Sequence, residues 1–480
     1  MLPEFYQFQH PTKMIYGEGL ASDFSHELEG LNAKKYFVVS DHVINNLGLL
    51  KEVKEGMEQG GITVTGQFLD VPQDASIESV EAISKQATET GAEGLIAIGG
   101  GSVIDATKAA NFTFSHGGDF IEDYSGAGTL TEHLKPFVVI PTTAGTGSEC
   151  TIAAVVYDIE NKTKLAFSDS YLLPVLAILD PLMTKSLPPG LTASTGMDAL
   201  THAVESYVGI DTSPHSEALA VGAIELIFKN LVRSTENGDD LEARGAMLIA
   251  SNMAGTSFSH SMCGCVHGMA HPTGALFRVP HGVANTIFLP HGMEYNFEEC
   301  KEKYAKLAYF MGEDVSGLSV DDAARKAIDA VRNLTKNLNK AGGLPIRLRD
   351  VGVPEERLAE IAEGAVEDGT CIYNIREVVA EEILVHVKNA YLIDCSGDKI
   401  DVRAHDMETK AIVDMKMSSD IAHKFWFGKV NLTMALTRRQ MVAKGPVPKI
   451  LKLLPAIKPT YAMYPKYLND NGFEKYNIHS

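Results

Sequence analysis

The chain contains little of what stabilises small secreted proteins or anchors a protein in a membrane. Its 480 residues include six cysteines and one tryptophan, and no run of 18 apolar residues. Such sparse cysteines argue against a disulfide scaffold, and no transmembrane helix is expected without a long apolar run. The N-terminal MLPEFYQFQHPTK has no basic segment followed by an apolar one. We therefore expect no signal peptide, and the cytoplasm is the predicted compartment.

Basic residues are also scarce. The chain has 42 Lys and Arg against 62 Asp and Glu, a net charge of −20, which argues against binding of nucleic acid or anionic membranes by the whole molecule. The charge is uneven, because residues 393–480 hold 14 Lys/Arg and 9 Asp/Glu, a net of +5, which leaves −25 for residues 1–392. This shift predicts a boundary near residue 393.

The hydrophobic pattern predicts an α/β fold. Residues 14–180 alternate short β-rich runs, such as YFVVSD (36–41) and GITVTGQFLD (61–70), with longer helical patterns. This alternation is typical of a mostly parallel sheet. Helical periodicity dominates residues 181–392, including 216–233 and 239–259, and Pro188-Pro189-Gly190 marks the junction. We predict a parallel-sheet domain (1–188), an all-helical domain (189–392) and a small α+β module (393–480).

Histidines and one aspartate recur at helical spacing in the second domain. Asp198 and His202 are four residues apart, as are His267 and His271, and His281 follows in a Pro-His-Gly turn. Residues four apart lie on one face of a helix. A carboxylate and three imidazoles from this set could hold one divalent first-row metal: Fe²⁺, Zn²⁺, Mn²⁺ or Co²⁺. The alternative is that each histidine packs structurally.

A glycine-rich turn stands where a predicted strand meets a predicted helix. Gly99-Gly100-Gly101-Ser102 would let a phosphate approach free N–H groups at the helix N-terminus, and Ser102 with Asp105 fits a helix cap. The turn is not GxGxxG, and no acid follows at the usual distance. Asp41, which ends the 36–41 strand, is instead the candidate partner of the adenosine ribose. The alternatives are an ordinary turn and an exposed strand-end acid.

Three segments resemble the metal-binding region of the iron-containing (group III) alcohol dehydrogenases: GMDALTHAVESYV, VHGMAHPTGALF and PHGVANTIFLPHGMEYN. The resemblance extends over roughly residues 8–392. It implies one catalytic metal, Fe²⁺ in the first place and Zn²⁺ in the second. The residues that match the metal ligands of the family are Asp198, His202, His267 and His281. His271 matches a position near the nicotinamide and the substrate.

The same resemblance implies a dinucleotide site on the first domain. The pyrophosphate and ribose would be bound by Gly99, Gly100, Gly101, Ser102, Thr142, Thr143 and Ser148. Asp105 and Lys164 match further positions around the cofactor. Asp41 matches the position where an acid favours NAD over NADP, because a carboxylate repels a 2′-phosphate. One departure is Asn374-Ile375-Arg376, where the family commonly has N-P-R.

These observations together predict a metal-dependent NAD(P)-linked alcohol dehydrogenase or aldehyde reductase. The metal would act as a Lewis acid on the alcohol oxygen, and hydride would pass to the nicotinamide. His271 would relay a proton or position the small alcohol or aldehyde substrate. A homo-oligomer, a dimer or larger, is usual in the family. The alternatives are a hydroxyacid–oxoacid transhydrogenase or polyol dehydrogenase of the same superfamily, and a lipid carrier built on a dehydrogenase scaffold.

Residues 393–480 do not follow the dehydrogenase pattern. DKIDVRAHD and AIVDMKMS alternate like strands with one buried face. HKFWFGKVN and KGPVPKILKLLP resemble the later part of a sterol-carrier-protein-like lipid-binding domain. The resemblance implies an apolar ligand at this module. The alternative for KILKLLPAIKP is a C-terminal helix that docks on its own domain.

Overall fold

The computed structural model of the chain describes residues 3–161 and 163–392, and the backbone of residues 414–417 and 441–444. The chain divides into two compact units, Met1–Lys399 and Ile400–Ser480. The first unit contains a parallel sheet followed by a set of helices.

Six parallel strands form the sheet, in the order β1-β8-β5-β4-β2-β3. A separate antiparallel hairpin is formed by β6 and β7. The strands are β1 (Lys13–Tyr16), β2 (Lys35–Val39), β3 (Thr63–Phe68), β4 (Gly94–Gly99), β5 (Phe137–Pro141), β6 (Ala153–Asp158), β7 (Thr163–Ser168) and β8 (Leu176–Leu179). The predicted parallel α/β sheet is confirmed.

Helices cover both faces of the sheet. They are α1 (His42–Asn46), α2 (Leu49–Gln59), α3 (Ile77–Glu89), α4 (Gly101–His116) and α5 (Phe120–Tyr124). Tyr36 and Val38 of β2 pack in one apolar cluster with α2, whereas Phe37 and Val39 pack in another with α3 and α4. Successive side chains of a strand point to opposite faces. Because both faces are covered, the strands read as continuous apolar runs rather than as an alternation.

The rest of the first unit is helical. The helices are α6 (Pro189–Val208), α7 (Pro214–Glu236), α8 (Leu241–Ser261), α9 (Cys265–Phe277), α10 (His281–Tyr295), α11 (Phe297–Phe310), α12 (Val320–Gly342), α13 (Leu358–Glu367) and α14 (Ala380–Leu392). No strand occurs in this described stretch, as predicted. The segment 216–233 lies inside α7, and the segment 239–259 begins two residues before α8 and otherwise lies within it. None of the described helices is long and apolar enough to cross a membrane.

A buried arginine anchors the link between the sheet and the helices. Arg244 of α8 is 3% exposed and donates to Thr192 Oγ1 at 2.7 Å, to the Leu187 carbonyl at 3.2 Å and to the Gly238 carbonyl at 3.2 Å. Pro189 begins α6 without a lost hydrogen bond, because the first N–H groups of a helix have no intrahelical acceptor. The guanidinium of Arg244 therefore fixes the junction by its hydrogen bonds to these backbone carbonyls.

The loop after β5 joins the carboxyl edge of the sheet to α8. Asn252 Nδ2 donates to Glu149 Oε1 at 3.1 Å, and Cys150 Sγ lies 3.1 Å from the Asn252 carbonyl. A Cβ added to Gly147 would lie 2.6 Å from Gly255 Cα, so the two backbones meet where only glycine fits. This contact sets the helices beside the strand ends at which α/β proteins bind ligands.

In the second unit, β9 (Asp414–Met417) and β10 (Met441–Lys444) pair antiparallel. The strand β9 lies within the predicted strand AIVDMKMS. The other predictions for residues 393–480, including DKIDVRAHD, HKFWFGKVN and KILKLLPAIKP, lie outside the described residues.

Candidate metal centre

Three helices bring the four predicted metal ligands together. Asp198 and His202 lie one turn apart on α6, His267 lies in the first turn of α9, and His281 begins α10. One donor atom of each residue lies within 4.8 Å of the donor atoms of the other three. Asp198, His202 and His267 are buried, while the His281 side chain is 30% exposed. The cluster is thus enclosed except on the side of His281.

The environment sets the protonation of this cluster. Burial lowers the pKa of His202 and that of His267 to about 4 each, and lowers the pKa of His281 well below its usual value. Burial alone would raise the pKa of Asp198, but the imidazoles of His281, His202 and His267 outweigh burial and lower it. Near neutral pH the group therefore holds three neutral imidazoles and one carboxylate. These are the forms that bind a divalent metal.

Glu205 orients one of the imidazoles. Its Oε2 lies 2.5 Å from His267 Nδ1, and its Oε1 accepts from the Val266 N–H at 2.7 Å. Burial raises the pKa of Glu205 to about 7. A carboxylate on Nδ1 fixes the tautomer of a histidine and leaves the Nε2 lone pair for a metal. Sequence reasoning missed Glu205, although Asp198, His202 and Glu205 follow the i, i+4, i+7 spacing of one helix face.

A second group of potential metal ligands shares His267. Glu205, Cys263 and His267 also place one donor atom each within 4.8 Å of one another. The Nδ1 atom of His267 is already engaged by Glu205, and burial raises the pKa of the Cys263 thiol well above its usual value. The thiolate needed for metal binding is therefore disfavoured. The Asp198 cluster is the better metal site.

His271 lies beside the four and outside their group. Its ring centroid is 5.4 Å from that of His281, with the rings stacked, and 5.8 Å from that of His267. Its Nδ1 lies 2.8 Å from Asp368 Oδ2, and Asp368 Oδ1 accepts from the Thr370 N–H at 2.9 Å. The His271 side chain is 33% exposed. His271 thus adjoins the buried cluster and is itself partly exposed; its partner Asp368 was not predicted.

Asn374-Ile375-Arg376 retains two polar anchors. Asn374 Oδ1 accepts from the Cys265 N–H at the start of α9, at 3.2 Å, and exchanges two 2.8 Å hydrogen bonds with the Asn296 amide. Arg376 donates to the Tyr295 carbonyl at the end of α10, at 2.9 Å. Both anchors hold the helices that carry His267 and His281, and the intervening isoleucine takes no part in them.

The glycine turn gives α4 a half-buried N-terminus without a side-chain cap. The predicted cap by Ser102 and Asp105 is wrong, because α4 begins at Gly101, with Gly100 at the cap position and no side-chain cap. Ser102 Oγ instead accepts from the Asp74 N–H at 3.1 Å. A Cβ added to Gly100 would lie 3.1 Å from Thr143 Cγ2, and one added to Gly101 2.6 Å from Thr146 Cγ2. The glycines thus allow the loop after β5 to pack closely on this turn.

Other predicted cofactor residues are linked around this turn. Ser148 Oγ donates to Asp105 Oδ1 at 2.5 Å, and Asp105 Oδ2 accepts from the Val155 N–H at 3.0 Å. The Thr142 N–H donates to the Gly99 carbonyl at 3.0 Å. On β7, Lys164 Nζ lies 2.9 Å from Asp74 Oδ1. Both oxygens of the Asp105 carboxylate therefore accept hydrogen bonds from the protein itself. These bonds link α4 to the loop after β5 and to β6.

Asp41 follows β2, the neighbour of β4 in the sheet. Its Oδ1 accepts from the Ile44 N–H at 2.9 Å and caps α1. The residue is only partly buried. The structure thus gives Asp41 a capping role next to the glycine turn.

Comparison with known proteins places this geometry in a family. Residues 11–181 match the family model "Iron-containing alcohol dehydrogenase", and residues 192–391 match "Fe-containing alcohol dehydrogenase family, C-terminal". The chain is 36% identical over 380 residues to the NAD-dependent methanol dehydrogenase of Bacillus methanolicus, with 79% of this chain and 98% of that protein covered. It is 37% identical over 386 residues to the 1,3-propanediol dehydrogenase of Klebsiella pneumoniae, with 79% and 97% covered. A solved 1,3-propanediol oxidoreductase superposes with a TM-score of 0.78 at 36% identity, over 81% of this chain and 100% of that one.

Proposed function

Because the chain belongs to the iron-containing alcohol dehydrogenase family, we propose that Asp198, His202, His267 and His281 hold its divalent metal beside a bound NAD. The protein is a metal-dependent, NAD-linked alcohol dehydrogenase or aldehyde reductase. The observation that carries the site is the convergence of the four donor atoms within 4.8 Å. Three neutral imidazoles and a carboxylate suit either Fe²⁺ or Zn²⁺, and membership of the iron-containing family favours Fe²⁺.

The residues of the chain exclude water from the metal site, position the substrate and transfer a proton. When bound, the metal supplies a Lewis acid for the alcohol oxygen and NAD supplies the hydride acceptor. Burial of Asp198, His202 and His267 excludes water from three sides. His271, held by Asp368 and one-third exposed, is placed to carry a proton between the reacting oxygen and solvent, or to position the substrate.

The proposed NAD site lies at the carboxyl ends of β2, β4 and β5. The uncapped N-terminus of α4 offers free N–H groups to the pyrophosphate. The residues proposed around the pyrophosphate and ribose are Gly99, Gly100, Gly101, Ser102, Thr142, Thr143 and Ser148. Asp105 and Lys164 would support this loop through their bonds to Ser148 and Asp74. Asp41 would face the adenosine ribose, where its charge disfavours the 2′-phosphate of NADP.

The first experiment measures NADH formation by metal-reconstituted protein across straight-chain alcohols, with metal content assayed in the same samples. We expect NAD-dependent turnover that His267→Ala abolishes together with bound metal. His386→Gln, a change at a partly buried histidine of α14 outside the cluster, is the matched control and should retain both. Turnover only when an alcohol and a carbonyl acceptor are supplied together, without free NADH, would replace the proposal with a transhydrogenase. Metal without any turnover would point to a carrier.

The cellular compartment, the oligomeric state and the lipid-binding character of residues 393–480 are further proposals. The cytoplasm is supported by the free thiols of the five cysteines in the described residues, because disulfides are rare in a reducing compartment. A dimer or larger assembly rests on the family resemblance. The sterol-carrier-like module rests on the motifs HKFWFGKVN and KGPVPKILKLLP, and the two matched family models end before it, at residues 181 and 391.

A further inference from the structure

A second polar side chain lies on the metal-facing side of α10. Asn285 follows His281 by four residues, so both project from one face of the helix. It is completely buried. Its Nδ2 lies 2.6 Å from Asp198 Oδ1, and 3.2 Å from both His267 Nε2 and His281 Nε2. The amide thus contacts three of the four proposed ligands.

The charge of Asp198 fixes which end of the amide faces it. An ionised carboxylate only accepts hydrogen bonds, so the NH₂ group must point at Asp198 and the carbonyl away from it. The consequence is visible at the other end, because Asn285 Oδ1 is buried without a hydrogen-bond partner. A buried acceptor without a partner is destabilising. The residue therefore leaves one polar atom unsatisfied in order to place its nitrogen at the metal ligands.

A carboxylate has two oxygens and can bind a metal through one or both. A donor on Oδ1 occupies one of them and restricts rotation of the group. Hydrogen bonds to ligating carboxylates orient them and tune the metal. Asn285 is the donor that the structure places within hydrogen-bond distance of this carboxylate, and α10 positions it rigidly behind His281.

We propose that Asn285 is a positioning residue of the metal centre, which holds the Asp198 carboxylate through Oδ1 and keeps it beside the imidazoles that share the cation. This inference rests on the proposed ligand set, and it concerns metal affinity and coordination rather than the reaction itself. Loss of the amide should weaken metal binding by the roughly 10- to 100-fold typical of partners that orient metal ligands.

The test titrates metal-free full-length protein with Co²⁺, followed by its d–d absorption, and with Zn²⁺ in competition with a chelator. Asn285→Leu removes the donor at similar volume, and Asn285→Ser leaves a hydroxyl too short to span the same distance. Asn230→Leu is the matched control, since Asn230 is another buried amide, which donates to the Leu226 carbonyl of its own helix α7 at 2.8 Å. Circular dichroism identifies the variants that fold.

We expect the folded Asn285 variants to bind both metals about 10- to 100-fold more weakly and to show a changed Co²⁺ spectrum. The Asn230 variant should match the unchanged protein in both. Equal affinity and an equal spectrum in either folded Asn285 variant would overturn the inference while leaving the ligand set intact. An unchanged protein that binds neither metal would instead overturn the proposed function.

Discussion

Met262 is held in a backbone conformation that L-residues rarely adopt. It ends α8 with φ 62° and ψ −173°, a region essentially reserved for glycine. It also begins the short segment that leads into α9 and His267. A non-glycine residue in this conformation costs about 1–3 kcal/mol. The segment between α8 and α9 is therefore strained in the folded state.

Replacing Met262 with glycine should therefore stabilise the protein. Part of the relieved strain is offset by the greater freedom of glycine in the unfolded chain, and we expect a net gain of about 1 kcal/mol in the free energy of unfolding. Denaturant unfolding of metal-free protein measures it. Met262→Ala is the control, because it removes the side chain but keeps the unfavourable φ. A glycine variant no more stable than the alanine variant would show that strain is not stored here.

Glu205→Gln tests the carboxylate behind His267. Glutamine keeps the shape, but it cannot accept from both the His267 Nδ1–H and the Val266 N–H without turning its own NH₂ group towards one of these donors. We expect metal affinity to fall by about 10- to 100-fold, measured by chelator competition. An unchanged affinity would mean that packing alone orients His267.

At the scale of elements, a pair of amides joins α9 to the end of α10. Asn374 and Asn296 exchange two hydrogen bonds, and Asn374 also binds the Cys265 N–H. Asn374→Ala and Asn296→Ala should each destabilise the protein by about 1–3 kcal/mol, because each removes two buried hydrogen bonds from the other amide. The double variant should lose clearly less than the sum of the two. Additive losses in denaturant unfolding would contradict the pairing.

Local sequence signals predicted most elements but not their exact ends. Continuous apolar runs gave β2 and β4, the β-rich run GITVTGQFLD gave β3, and helical periodicity gave α7 and α8, because burial on defined faces imposes these patterns. The cap of α4 was misplaced: Ser102 satisfies the local preference, but Gly100 occupies the cap position, where the neighbouring loop requires a glycine. The hairpin of β6 and β7 was not singled out, since Lys164, which lies on β7, was interpreted only as a position around the cofactor.

At the scale of the whole molecule, the metal centre depends on the packing of three helices. The four-residue spacing indicated one pair of candidate ligands on α6 and another on α9. Spacing alone does not show that the two pairs lie close together, and the family resemblance supplied that expectation. Glu205, Asn285 and Asp368 were missed because each becomes significant only through a contact with a distant segment. Roles that arise from tertiary contacts are invisible to local pattern.

Buried histidines should make the metal-free protein sensitive to acid. Burial, followed by His291, lowers the pKa of His386 to about 4, against about 6.5 in an unfolded chain. Between pH 4 and pH 6.5 His386 binds a proton in the unfolded state but not in the folded state. Its contribution to the free energy of unfolding is therefore fully present above about pH 6.5 and decreases towards pH 4. Glu205 acts with the opposite sign, because its raised pKa of about 7 lets the folded state hold a proton.

The contribution of one histidine is isolated by His386→Gln. One proton corresponds to a slope of up to about 1.4 kcal/mol per pH unit in the free energy of unfolding. We expect the variant to lose up to that much of the slope between pH 6.5 and 4, and to match the unchanged protein in slope above pH 7. Chemical unfolding at a series of pH values measures both; parallel curves throughout would show that His386 does not titrate as its burial requires.

The tail is tested by deleting residues 393–480. The second of the two matched family models ends at residue 391, so the shortened chain should keep NAD-dependent turnover of short alcohols. If the tail receives an apolar chain, its loss removes buried methylenes from bound long-chain substrates, each worth about 0.8 kcal/mol. Loss of the burial of two such methylenes lowers kcat/KM by about tenfold, whereas short alcohols have no such methylenes to expose. The ratio of kcat/KM for long and short alcohols in the full and shortened chains decides it, because an equal effect on both would assign the basic tail a role outside substrate binding.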